Sequence, residues 1–405
     1  MNFLSSALLS MLFLVISAEV SAQGCDGVRY RDQIFTNVDV TEVTYTTANS
    51  TNLKLDVYQP QGDTETNRPL IILAHGGSFI GGNKTADGTV TTLCENFAKR
   101  GYVTASINYR LGGPLDMLIL NSAITVVVKA ISDGKSAVRY FRKDAAENGN
   151  TFGINPNMIF VGGNSAGAVL YLHHAYISEV SEAPQSIQTV LNQNGGIEGN
   201  SGNDGYSSAV SGVINLAGGL NEVDFIDNGE PPVISFHGDA DDVVPYYCAN
   251  AQGGVTPVQL CGLGALQPRL TSEGIDHVSK VYAGAGHTPW QSNSAMMTEI
   301  DSMIADFLFE KVCTAASIAE IAKEKTFSVF PNPTNGVINI ETLAANTQSY
   351  SVKVFDASGR MVWNEKNISE TTTRLQLNLT AGIYRVMVQY ENGNHQIFSR
   401  NVLFR

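Results

Sequence analysis

The sequence predicts a mixed α/β domain built on a mostly parallel sheet flanked by helices, followed by a small β-sandwich domain. Three observations carry that prediction. Up to about Cys313, short apolar runs alternate with amphipathic stretches, the order that produces a parallel sheet with helices on both faces. Several runs are apolar on both faces, as strands covered on both sides must be. From Phe327 onward the pattern changes to short alternating segments broken by turn signals at Pro331-Asn332-Pro333, Asn335-Gly336, Ser358-Gly359 and Ala381-Gly382, which reads as a β-sandwich.

Composition narrows the functional classes. The 405 residues include 25 Lys plus Arg and 38 Asp plus Glu, a formal charge of −13. Hydrophobic residues are 43% and charged residues 16%, which excludes a disordered chain. Only one long apolar run exists, which excludes a multi-span membrane protein. The acidic balance lacks the clustered cations that phosphate binding needs, so nucleic acid is not expected as a partner. Oligomeric state is not legible in the sequence.

Taken in order, residues 1–22 read as an export leader. Leu4 to Val20 is apolar but short for a membrane span, and Val20-Ser21-Ala22 sets small residues for cleavage after Ala22, although no Lys or Arg precedes the run. Export lets disulfides persist. Of the five cysteines, Cys248 and Cys261 bracket a short Gly-rich loop and form the first expected pair. Cys25 with Cys94 is the second, leaving Cys313 free. No C-x-x-C occurs, so no zinc or redox site is expected.

Strands are expected at Leu70 to Ala74, Tyr102 to Asn108, Met158 to Gly162, Val210 to Leu216, Pro232 to Phe236 and Val278 to Tyr282. Helices are expected at Thr91 to Arg100, Lys129 to Asn148 and Ala166 to Ile177. Two stretches between them read as pocket walls. Leu111 to Val128 holds the apolar run Met117-Leu118-Ile119-Leu120, which reads equally as a buried helix, and Gln185 to Ser208, rich in Asn, Gly and Ser, reads as a mobile loop. Residues 23–313 thus form the first domain, 314–326 a helical or loose Ala-rich linker, and 327–405 the second domain. The second domain holds seven basic and five acidic residues, a charge of +2, so the remainder carries −15; this asymmetry supports the boundary.

Three motifs carry chemistry. Gly163-Asn164-Ser165-Ala166-Gly167 is a G-x-S-x-G between an expected strand and an expected helix, the context in which a serine sits on a strained turn as a nucleophile. Alone it is a weak signal. His75-Gly76-Gly77-Ser78-Phe79 follows another strand. The amides of Gly76 and Gly77, with that of Ala166, are expected to bind a developing oxyanion, while His75 reads as structural. The third pattern supplies acid and base. Strand Pro232 to Phe236 runs into His237-Gly238-Asp239-Ala240-Asp241-Asp242, and strand Val278 to Tyr282 into Gly284-Ala285-Gly286-His287. His287 is the expected base. Asp239, Asp241 and Asp242 all lie near the strand end; Asp241 is favoured because a carboxylate one turn on reaches toward the base. Phe79, Tyr109 and Trp290 are expected to line the cleft, against the commoner alternative that large aromatics are simply core.

HGGSFIGG, INYRLG, GGNSAGA, HGDADDVVP and GAGH resemble, in order, the landmarks of secreted carboxylesterases of the α/β-hydrolase superfamily, over residues 41–309. Asn164 departs from the Asp or Glu common in close relatives. The resemblance implies a Ser165–His287–Asp241 triad, an acyl-enzyme, no metal and no cofactor. It implies small or polymer-linked ester substrates such as acetylated or feruloylated polysaccharide, or polyesters. A serine peptidase or amidase on the same fold and a non-catalytic surface binding protein are the alternatives. FSVFPNPTNGVINIE, VKVFDASGRMVW and LNLTAGIYRVMV resemble the sorting domain of the type IX secretion system of Bacteroidota. That resemblance implies passage through the periplasm and an encounter with that secretion machinery, ending in a secreted or cell-surface protein; a carbohydrate-binding sandwich is the alternative.

Overall fold

The computed structural model describes residues 25, 27–323, 327–331, 333–342, 349–356, 360–390 and 397–405. The expected leader 1–22 and the Ser358-Gly359 turn lie outside the described residues. The chain divides into two compact units, Met1–Thr314 and Ala315–Arg405.

The first unit is organised by an eight-stranded sheet. Its strands are β1 (Val38–Ala48), β2 (Thr51–Pro60), β3 (Arg68–Ala74), β4 (Val103–Ile107), β5 (Ile154–Asn164), β6 (Gly212–Leu216), β7 (Val233–Gly238) and, after the short hairpin β8 (Cys248–Asn250) and β9 (Gln259–Cys261), β10 (His277–Tyr282). The order across the sheet is β1-β2-β4-β3-β5-β6-β7-β10. Strand β2 pairs antiparallel with both neighbours, and the pairs from β4 to β10 are parallel. Strands β3, β4, β6 and β7 are buried throughout, which is why they read so plainly as apolar runs.

Six helices accompany the sheet: α1 (Gly88–Lys99), α2 (Leu120–Glu147), α3 (Ala166–Tyr176), α4 (Gln185–Gln193), α5 (Leu263–Ser272) and α6 (Ser294–Lys323). They separate two cores. One lies under α2 and α3 and includes Leu70, Ile72, Val161, Phe141 and Leu170; the other lies under α1 and α6 and includes Ile71, Leu73, Phe97, Phe236 and Ile304. Alternate residues of β3 thus feed opposite cores, the period-two alternation of a strand.

Three features depart from the expected layout. No strand is expected before Leu70, yet β1 and β2 form a hairpin. Its turn at Asn49-Ser50 has both φ angles positive (48° and 64°), the twist favoured by two-residue hairpins. β1 is largely exposed and polar, so it gives no apolar run. Helix α2 begins nine residues before the expected Lys129. Its N-cap, Ile119, makes no side-chain bond, and Thr125 to Val128 is β-branched, so neither cap nor propensity announces it. The stretch expected to be a mobile loop opens with α4. It then runs through a Gly-rich segment pinned by buried bonds from Ser201 Oγ to Asp133 (2.6 Å) and from Ser136 Oγ to the Ser201 carbonyl (2.9 Å). The linker, expected to be helical or loose at 314–326, is helical as far as Lys323, where α6 ends.

Cys248 and Cys261 are joined as expected. The second pair is corrected: Cys25 bonds Cys313, and Cys94 is a free, buried thiol. Cys94 lies on the buried face of α1 with Val90, Leu93 and Phe97, so it points into the core. Helix α6 instead brings Cys313 to the N-terminal segment.

The second unit pairs two antiparallel sheets. β11 (Phe327–Phe330), β12 (Val337–Thr342) and β15 (Thr372–Gln376) form one; β14 (Met361–Ile368), β13 (Tyr350–Phe355), β16 (Gly382–Tyr390) and β17 (Ile397–Phe404) form the other. Ile338, Ile340, Val352, Val354, Val386 and Val402 pack a single core.

Candidate active site

Four loops at the carboxyl ends of β3, β5, β7 and β10 meet at one point, the end of an open α/β sheet where ligands bind. Ser165 follows β5 with φ 54° and ψ −117°. That conformation is strained for a residue with a Cβ. The turn is possible only because its neighbours lack side chains. A Cβ on Gly163 would stand 2.5 Å from the Ala74 carbonyl, and one on Gly167 would run into the same oxygen.

The expected nucleophile, base and acid are brought together. His287 Nε2 lies 2.8 Å from Ser165 Oγ, and His287 Nδ1 lies 2.7 Å from Asp241 Oδ2. Asp241 is the member of its acidic cluster that turns inward. Its Oδ1 accepts from the amides of Val243 (2.9 Å) and Val244 (3.0 Å). His237 Nε2 stands 3.3 Å from its Oδ2. Burial alone would raise this carboxyl, but the bonds from His237 and His287 outweigh it and hold the group well below the usual carboxylate range. It therefore stays ionised through the acid range. Asp239 is exposed and accepts from the Gly284 amide (2.6 Å), and Asp242 is exposed.

The amide donors differ in one member from the expected set. The Gly76 amide is occupied, donating to Asp87 Oδ2 at 2.9 Å. Gly77 (φ 116°) and Ser78 (φ 54°) lie in the left-handed region. Their amides, and that of Ala166 at the start of α3, bond no other group among the described residues. Gly76 is thus engaged elsewhere, and Ser78 rather than Gly76 stands beside Gly77 with its amide open. His75 is buried, its ring stacked on Tyr109 at 4.4 Å.

Of the three expected cleft aromatics, Phe79 lines the cavity beside Ser165. Tyr109 and Trp290 do not. Tyr109 is buried and donates its hydroxyl to the His75 carbonyl (2.8 Å). Trp290 is buried against Tyr282 and donates Nε1 to Asn164 Oδ1 (3.3 Å).

Asp87 went unnoticed in the sequence because an isolated aspartate before a helix reads only as a cap. It does cap α1, accepting from Thr89 and Val90. Its other oxygen also holds the Gly76 amide and Asn164 Nδ2 (3.0 Å). The line Asp87–Asn164–Trp290 therefore ties the loop after β3, the serine turn and the histidine loop together beneath the site. Asn164 suits this post because it donates to a carboxylate on one side and accepts from an indole on the other. Among the described residues, no cluster of His, Cys, Asp or Glu is arranged to hold a metal.

Residues 55–221 match the BD-FAE family model, and residues 328–402 match the secretion system C-terminal sorting domain model. The second match marks the chain for type IX secretion, to the cell surface or beyond. An AB hydrolase superfamily protein of Schizosaccharomyces pombe is 33% identical over 140 residues, 33% of this chain and 36% of that one. Esterase-5B of Drosophila persimilis is 30% identical over 116 residues, 28% of this chain and 19% of that one. The chain thus spans about a third or less of the length of these curated relatives. A thermophilic esterase of the planctomycete Thermogutta terrifontis, solved with propionate bound, superposes with a TM-score of 0.50 at 21% identity, covering 67% of this chain and 94% of that one. That likeness is one of fold.

Proposed function

We propose that this chain, which carries a BD-FAE domain on an α/β-hydrolase fold with a type IX sorting domain behind it, is a secreted serine carboxylesterase. The observation that carries the reading is the unbroken line from Ser165 Oγ through both nitrogens of His287 to Asp241. Ser165 attacks the ester carbonyl as His287 takes its proton, and Asp241 steadies the imidazolium. The tetrahedral oxyanion is met by the amides of Gly77, Ser78 and Ala166; losing one such donor typically costs about 2.7–4 kcal/mol of transition-state stabilisation. His287 then protonates the departing alcohol. Water, deprotonated by His287, attacks the acyl-enzyme, and the proton returns to Ser165 as the acid leaves. The sequence of steps calls for no metal or cofactor. On this reading residues 1–22 are removed on export, 23–313 form the catalytic unit, and 314–326 lead into the sorting domain at 327–405.

The test is hydrolysis of p-nitrophenyl butyrate together with fluorophosphonate labelling. The wild-type chain is expected to do both, and Ser165→Ala to lose the label and about 10⁶-fold in kcat. A wild type that takes no label would point to a binding protein. Faster turnover of peptide anilides than of esters would point to an amidase.

A further inference from the structure

A cavity of about 500 Å³ opens at Ser165 and Ala166, within the range of about 300–1,000 Å³ typical of small-molecule sites. Resting on the esterase reading, we infer that the natural substrate is a lipophilic ester whose long aliphatic acyl chain lies in this cavity along helix α3.

The floor is one face of α3. Ala166, Val169, His173 and Ile177 recur at steps of three and four and so stack along the helix. At about 1.5 Å per residue, they carry the cavity about 16 Å away from the serine. Ile124, Val128 and Ile131 of α2 form one wall; Ile187 and Leu191 of α4, with Leu260 of β9, close the others.

Most polar side chains in this lining have partners of their own. His173 donates Nδ1–H to the Val169 carbonyl (2.8 Å) and accepts the Asn221 amide at Nε2 (3.1 Å). Burial pushes its pKa down to about 4, so the ring adds no charge. Gln252 donates to Ser78 Oγ (2.8 Å), and the side chains of Asn221 and Gln259 each donate to the other's carbonyl. Glu222 is the one acidic side chain among the described lining residues. No Lys or Arg is present there to meet an acidic acyl group, and apart from Ser186 and Glu222 few side chains are left to meet sugar hydroxyls or a phenol. An aliphatic chain asks for neither.

The apolar surface also continues outward. Leu118 and Leu120 line the cavity yet are 52% and 43% exposed, and Leu115 and Ile119 beside them are 76% and 63% exposed. A lipophilic ester therefore meets apolar surface before it reaches the serine.

The test uses the full mature chain and compares kcat/KM on p-nitrophenyl acetate, butyrate, octanoate and decanoate, with methyl ferulate alongside. Each methylene buried is worth about 0.8 kcal/mol, so kcat/KM is expected to rise about fourfold per methylene until the cavity is full. Ile177→Trp, at the far end, should lower the ratio of decanoate to acetate kcat/KM at least tenfold. Should that variant misfold, Met117→Asp on the partly exposed wall should do the same. Acetate or ferulate preferred over octanoate by an otherwise active enzyme would overturn the inference and leave the esterase reading standing. If no ester is hydrolysed, displacement of a fluorescent apolar dye from Ser165→Ala by methyl decanoate decides the matter. Displacement keeps the apolar site without the esterase; no displacement removes both.

Discussion

At the scale of single residues, Asp87 has two separable roles. As an N-cap it supports α1, a contribution of about 1 kcal/mol; as an acceptor it holds Gly76 and Asn164 in place. Asp87→Asn preserves the cap, because Asn and Asp cap equally well. It also introduces a donor where the Gly76 amide and the Asn164 amide group both need an acceptor. We expect kcat to fall at least tenfold with KM and the melting midpoint little changed, whereas Asp87→Ala lowers both kcat and the midpoint. Steady-state kinetics and thermal melts on the two variants separate the roles; a midpoint loss in Asp87→Asn as large as in Asp87→Ala would reduce Asp87 to a cap. Ser165, Asp241 and His287 could be picked out in the sequence because each follows an expected strand and sits in a short pattern of glycines. Asp87 was not, because its partners lie 11 and 77 residues away. Trp290 and Tyr109 stood open between cleft and core for a related reason: an aromatic near a motif looks the same in sequence whether it faces the cleft or props the loop behind it.

Elements were legible in proportion to their burial. The fully buried and largely apolar strands β3, β4, β6 and β7 announce themselves, while β1, polar and largely exposed, does not. The first turns of α2 owe their helicity to packing, since Ile124 and Val128 are buried in a stretch whose β-branched residues disfavour a helix. The turn entering β7 carries a pH-sensitive group. The Glu230 carboxyl accepts from the Asp227 amide (2.9 Å), and burial, with the charges of Asp227 and Glu182 adding to it, raises its pKa from 4.5 to about 7. A carboxyl raised in the folded state contributes stability that is fully present below 4.5 and is lost as pH rises through about 7. Melting midpoints measured across that window should therefore fall for the wild type relative to Glu230→Gln. Parallel curves for the two proteins would contradict this account.

For the molecule as a whole, the division into an acidic α/β unit and a small β unit was readable from the change of pattern near residue 313. The disulfide that closes the first unit was not, because pairing depends on where α6 ends in space. Cys25–Cys313 spans 288 residues and Cys248–Cys261 spans 13. By chain entropy these closures are worth about 5–6 and about 3 kcal/mol respectively. Replacing Cys25 and Cys313 together with serine should lower the urea midpoint more than replacing Cys248 and Cys261. The reverse order in equilibrium unfolding would show that the long closure contributes little.

The same bond makes the α/β unit a covalent ring with the sorting domain hanging outside it. A protease that trims the chain beyond Cys313 therefore releases the tail without opening the ring. One that nicks a surface loop within it leaves the two fragments joined, so that they migrate as a single species until reductant is added. In a medium rich in proteases, the ring would let the α/β unit lose the segment beyond Cys313 and hold together after a first cut.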